Sequence, residues 1–142
     1  MPSVYLAGFD VFYPDALARG DYLKALCATH GLEGLYPLDA TLPEGLSDPA
    51  GWICQANLDS LRRADAVLAN LGHFRGNEPD SGTVFEVGFA CALGKPVWAY
   101  FPDQQPMIEQ LPRDEQGLCP DGFVVENFGL PRNLMLACSW VG

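Results

Sequence analysis

Residues 80–95 read DSGTVFEVGFACALGK. The stretch opens polar at Asp80, Ser81, Gly82 and Thr83. It turns apolar, with small residues interspersed, from Val84 to Leu93, and stops at Gly94, Lys95 and Pro96. This is the pattern of a buried helix that starts near Gly82 or Thr83. Thr83 suits the N-cap, Gly94 suits the left-handed position after the last turn, and Pro96 prevents continuation. On either side lie apolar runs, AVLANL over 66–71 and VWAYF over 97–101. Both read as strands, and the first is apolar enough to be central.

The same alternation recurs on both sides. SVYLA over 3–7, ending at Gly8, reads as a buried first strand, and 15–30 as an amphipathic helix stopped by Gly31. A second strand is expected over 35–38. The pair Asp48-Pro49 supplies an N-cap and first turn for a helix running to Arg63. Residues 102–122, rich in Pro, Gly, Gln and acids, read as a mobile loop with one helical turn at 107–111. A last strand is expected at 123–125 and a closing helix over 130–138. Strands alternating with helices predict one domain over 1–142, an α/β three-layer sandwich of Rossmann-like type around a five-stranded parallel sheet. Ligands of such sheets sit at the carboxyl ends of the strands. There the chain has the loops 8–15, 39–48 and 72–81, the loop after Phe101, and the start of the Glu86 helix. Gly8 and the rings of Phe9, Phe12 and Tyr13 lie on the first of these loops, where rings pack as a lid or form a wall for a flat ligand.

The 142 residues carry a net charge of −10, which argues against nucleic-acid or anionic-membrane partners. No apolar run approaches the ~20 residues of a membrane span, and the start lacks the pattern of a signal peptide. The five cysteines, odd in number and without a C-x-x-C pair, read as free thiols of a reducing cytoplasm. They suggest no metal site, and His30 and His73 lie far apart. There is no G-x-G-x-x-G and no P-loop to support dinucleotide or ATP binding.

Glu86 is the one charge inside the central helix and has two readings. In the first it closes a capping box, Thr83-Val-Phe-Glu86, by reaching back to the Thr83 amide. In the second it is a reactive carboxylate kept ionised by the helix N-terminus. Asp80 would stand beside it as a second carboxylate. Two carboxylates in one pocket are what glycosyl transfer uses, one attacking carbon and one handling protons.

With YLAG near the start, DSGTVFEVGFACALGKPV in the middle and PRNLML near the end, the sequence resembles the nucleoside 2-deoxyribosyltransferases over most of its length. FRGNEPDSGTVFEVG is similar to the purine-preferring branch. The resemblance implies a flavodoxin-like fold and exchange of the base on a 2′-deoxyribonucleoside, with no cofactor or metal. It implies Glu86 as nucleophile, Asp80 as the group contacting the base and helping its proton transfer, and Tyr5 as the tyrosine that orients the nucleophile. Asn133, in PRNLML, matches an asparagine that reaches the sugar hydroxyls from a neighbouring subunit, so a homo-oligomer is implied; on its residue type alone Asn133 would serve equally as a helix N-cap. Gly8, Phe12, Asn57 and Gly82 complete the expected substrate contacts. One departure stands out. Many members carry an aspartate eight residues ahead of the Asp of an Ala-Asp pair, here Ala64-Asp65, and this chain has Asn57. An amide binds a base edge but does not donate a proton as an acid does.

Two alternatives have distinct signatures. A hydrolase of deoxynucleoside 5′-monophosphates would need a phosphate cradle after the first strand, but GFDVFYPD has two aspartates and no cation. A non-catalytic nucleoside sensor on the same fold would not need Glu86, Asp80 and Tyr5 together.

Overall fold

The computed structural model describes every residue from Met1 to Gly142. Four strands, β1 (Ser3–Ala7), β2 (Glu33–Leu35), β3 (Ala66–Asn70) and β4 (Val97–Tyr100), form a parallel sheet in the order β2-β1-β3-β4. Three long helices connect them: α1 (Ala16–Thr29), α2 (Pro49–Arg63) and α3 (Ser81–Ala92). Two single turns follow, α4 (Met107–Gln110) and α5 (Leu134–Ala137). Side chains alternate across the sheet. Val4 and Leu6 pack with Cys27 of α1 and with Tyr36 on one face. Tyr5, Ala7, Val67 and Ala69 pack on the other face with Leu61 of α2, Val87 and Ala90 of α3, and Leu136 of α5. The chain thus has the expected three layers, with α1 on one side and α2 and α3 on the other.

The fifth strand is a correction. Residues 123–125 form a single antiparallel bridge, Leu118 with Val124, and both Phe123 and Val124 are exposed. The edge of β4 is met instead by the C-terminal residues. The Val141 amide donates to the Val97 carbonyl at 2.8 Å, and the Ala99 amide to the Gly142 carbonyl at 2.8 Å. Two residues satisfy that edge without making a strand. The second strand also shifts, from the expected 35–38 to Glu33–Leu35, because β1 pairs Ser3–Tyr5 with Glu33–Leu35. Beyond it the chain turns: the Asp39 amide donates to the Tyr36 carbonyl at 2.9 Å and the Tyr36 amide to the Asp39 carboxylate at 2.8 Å. The Tyr36 ring lies over Gly20, where a Cβ would meet it at 2.5 Å.

The closing helix is shorter than expected, a single turn at Leu134–Ala137. The segment 102–122, expected to be a mobile loop, is tied down by Arg132, which is 1% exposed. Its guanidinium lies over the Phe101 ring at 4.1 Å and donates to the Leu71 carbonyl at 2.7 Å and to Gln110 Oε1 at 3.0 Å. No helix is long and apolar enough to cross a membrane.

Candidate active site

The strand order reverses between β1, which is followed by β2 on one side, and β3 on the other. Doubly wound sheets bind ligands in the crevice at such a switch point. Here the crevice is a cavity of about 210 Å³. Gly8 and Phe12 line it from the loop after β1, Cys54, Asn57 and Leu58 from α2, and Asp80, Gly82, Phe85 and Glu86 from the start of α3. Six of the eight expected site residues therefore meet in one cavity, and a seventh touches it through Glu86.

That seventh is Tyr5, fully buried in β1, whose hydroxyl donates to Glu86 Oε2. Glu86 Oε1 has no partner within the protein. Burial pushes the Glu86 carboxyl up to about 7; the Tyr5 hydrogen bond opposes this, and the charge of Asp80 adds to it. Burial, with Glu86 alongside, raises the Tyr5 hydroxyl far above the ordinary tyrosine range, so Tyr5 stays a neutral donor.

The cap of α3 corrects two expectations. Asp80, not Thr83, is the N-cap: its Oδ2 accepts from the Thr83 amide at 3.0 Å and from the Thr83 hydroxyl at 2.7 Å. Glu86 makes no capping box, because the Thr83 amide is already taken and Glu86 lies in the second turn, turned toward Tyr5. Burial is the largest influence on the Glu86 carboxyl, and it raises it. The helix is also less buried than its composition suggests, since Phe85 is 59% exposed at the cavity rim. Asp80 Oδ1 has no partner within the protein.

Asn57 lines the cavity, whereas Asp59 points away and pairs with Arg62 at 2.9 Å. Asn133 is the residue that one chain does not bring to the cavity. It is exposed, caps α5 by accepting from the Met135 amide at 2.9 Å, and borders a separate groove with Val84, Val87 and Gly88. No cluster of three or more His, Cys, Asp or Glu side chains comes together.

Sequence reasoning missed Val11, Pro37, Cys54, Leu58 and Phe85 as lining residues, and Asp10 as the anchor of the loop after β1. Asp10 is 5% exposed and accepts from Arg19 at 2.8 Å and from Asn70 at 3.2 Å, which ties the loop after β1 to the end of β3. An Asp and an Arg nine positions apart across a loop–helix junction were the only signal. A Cβ at Gly8 would lie 2.8 Å from both Asn70 Cβ and Asp10 Oδ2, so this crossing accepts glycine alone.

A doubly wound sheet with a half-buried carboxylate, its tyrosine donor and a second carboxylate at the switch point has the make-up of an enzyme acting on a small ligand. Comparison with known proteins makes this specific. The model of the nucleoside 2-deoxyribosyltransferase family matches residues 4–135. A solved structure, a 2-desoxiribosyltransferase from Leishmania mexicana, is 40% identical, with a TM-score of 0.81, over 96% of this chain and 85% of that one. A 2-deoxyribosyltransferase from Bacillus psychrosaccharolyticus shares the fold, at 20% identity and a TM-score of 0.62, over 97% of this chain and 82% of that one. An uncharacterized protein of Schizosaccharomyces pombe is 29% identical over 95% of this chain and 75% of its own length. The chain belongs to the nucleoside 2-deoxyribosyltransferase family. Its activity is deoxyribosyl transfer.

Proposed function

We propose that the protein exchanges the base of 2′-deoxyribonucleosides, with a preference for purines, by double displacement through Glu86. One observation carries this reading. Glu86 is held by Tyr5 through one oxygen, and its other oxygen is unpaired in a cavity that also holds Asp80. Glu86 attacks the anomeric carbon as the carbon–nitrogen bond to the base breaks, giving a deoxyribosyl ester. The departing base takes a proton from Asp80 or from a water at the Asp80 end of the cavity, because Asn57 is an amide, and the same group takes a proton back from the incoming base. An incoming base then attacks the same carbon, loses its proton there and frees the carboxylate. Two inversions give net retention. The carboxylates also stabilise the oxocarbenium-like transition states.

The purine preference rests on the likeness of FRGNEPDSGTVFEVG to the purine-preferring branch, and on Asn57 as an edge-binding amide. The absence of any cation among the cavity-lining residues favours nucleosides over 5′-monophosphates. Asn133 lies on another side of α3 from Glu86, which fits a homo-oligomer in which it serves a neighbour's cavity. Five unpaired cysteines fit a cytoplasmic setting.

The test is chromatography of 2′-deoxyinosine incubated with and without adenine. Formation of 2′-deoxyadenosine, lost in Glu86→Ala, is expected. Equal release of hypoxanthine with and without adenine would instead mean hydrolysis. Binding without turnover would mean a sensor.

A further inference from the structure

The cavity is lined by two separate segments. Phe12, on the loop after β1, belongs to one; Asp80 and Gly82, at the N-cap and in the first turn of α3 where the loop after β3 ends, belong to the other. Phe9–Phe12 is a single turn of 3₁₀ helix, in which side chains three apart project from the same side. Phe9 and Phe12 therefore present their rings together. Phe74, from the loop after β3, stacks on both: its ring centroid is 5.3 Å from Phe9 at 15° and 5.2 Å from Phe12 at 21°.

The loop is bent back to make this contact. The Phe74 amide donates to the Glu78 carbonyl at 2.9 Å, closing the turn. Inside it Arg75 has φ 54, the one non-glycine residue of the chain in the left-handed region. Its guanidinium lies 4.4 Å from the Phe74 ring centroid and 5.1 Å from that of Phe12. Neither Phe74 nor Arg75 lines the cavity. Phe12 is 54% exposed, and its only ring partner is Phe74.

We infer that Phe74 and Arg75 are positioning residues: by clasping Phe12 they fix the stacking wall of the cavity and so set which bases the enzyme accepts. This rests on the base-exchange reading. A purine covers more of a fixed ring than a pyrimidine does, so loosening the wall penalises purines more. Phe74 acts through Phe12, so removing both rings is no worse than removing Phe12 alone.

The test is calorimetric titration of the whole protein with free adenine and with free cytosine, neither of which reacts alone, with the melting temperature recorded for each variant. Phe74→Ala is expected to weaken adenine binding about five- to tenfold, and cytosine binding less. Phe74→Leu, which keeps the bulk without the ring, should weaken it similarly, and Phe74→Tyr should restore it. Arg75→Gln is expected to weaken it roughly twofold. The Phe12→Ala/Phe74→Ala pair should match Phe12→Ala. Unchanged adenine binding in Phe74→Leu, or fully additive losses in the double variant, would overturn this inference alone. A wild type that binds neither base would overturn the base-exchange reading and this inference with it.

Discussion

Replacing Tyr5 by Phe removes one oxygen from the interior and leaves the ring packing in place. In the wild type that hydroxyl donates to Glu86, and the bond lowers a carboxyl that burial holds up at about 7. A hydrogen bond to a charged group is worth about 1.5–3 kcal/mol, and about 1.4 kcal/mol moves a titration by one pH unit. The acidic limb of the rate profile should therefore rise by about one to two pH units in Tyr5→Phe. With Glu86 at about 7, about half of it is ionised at pH 7 in the wild type, whereas the variant keeps roughly one carboxylate in ten to one in a hundred, and if Glu86 is the attacking group the rate falls about 5- to 50-fold. Most of that loss should disappear by about pH 9. Tyr5 does not titrate in this window, because its own hydroxyl is raised. The assay is kcat/KM for base exchange from pH 5 to pH 10. A limb that stays in place or moves down, or a loss equal at every pH, would refute the argument.

Other outcomes follow from the same geometry. Glu86 is raised from 4.5 to about 7 on folding, so the folded state holds its proton more tightly. The penalty for ionising it is absent below pH 4.5 and complete above about 7. Denaturant titrations should show Glu86→Gln gaining on the wild type across that window, by up to about 3 kcal/mol. Asp80→Ala loses the cap of α3 and should cost about 1 kcal/mol, or roughly 3 °C in melting temperature, while Asp80→Asn keeps an acceptor and costs less. Either change removes a charge that raises Glu86, so the acidic limb should move down, opposite to Tyr5→Phe. Gly8→Ala forces a Cβ to 2.8 Å from Asn70 and Asp10, and calorimetry should show about 1–3 kcal/mol of destabilisation along with weaker base binding.

Most of this architecture was legible because hydrophobic periodicity dictates it. SVYLA and AVLAN became β1 and β3, and Asp48-Pro49 opened α2 with the Gly51 amide donating to Asp48 at 2.9 Å. Errors fell where tertiary contacts outrank local pattern. Thr83 and Glu86 fit a capping box by spacing, but Tyr5, eighty-one positions away, claims the Glu86 carboxylate, and Asp80 claims the Thr83 amide. Residues 123–125 are apolar enough for a strand, but the edge of β4 is occupied by Val141 and Gly142. In the site, type and spacing drew attention to Glu86 and Asp80, and the family resemblance to Tyr5 and Asn57; the fold brings all four to or beside one cavity. The stacked rings of Phe9, Phe12 and Phe74 were not legible, since nothing local to Phe74 indicates that its loop folds back across the sheet edge.

The most direct test of the covalent route through Glu86 is a rapid acid quench of the protein with 2′-deoxyinosine and no acceptor base, followed by intact-mass and peptide mass spectrometry. The account predicts one added deoxyribosyl group on the peptide containing Glu86, absent in Glu86→Gln and discharged when adenine is supplied before the quench. Base exchange at the full wild-type rate without such an adduct, or the same adduct in Glu86→Gln, would contradict it.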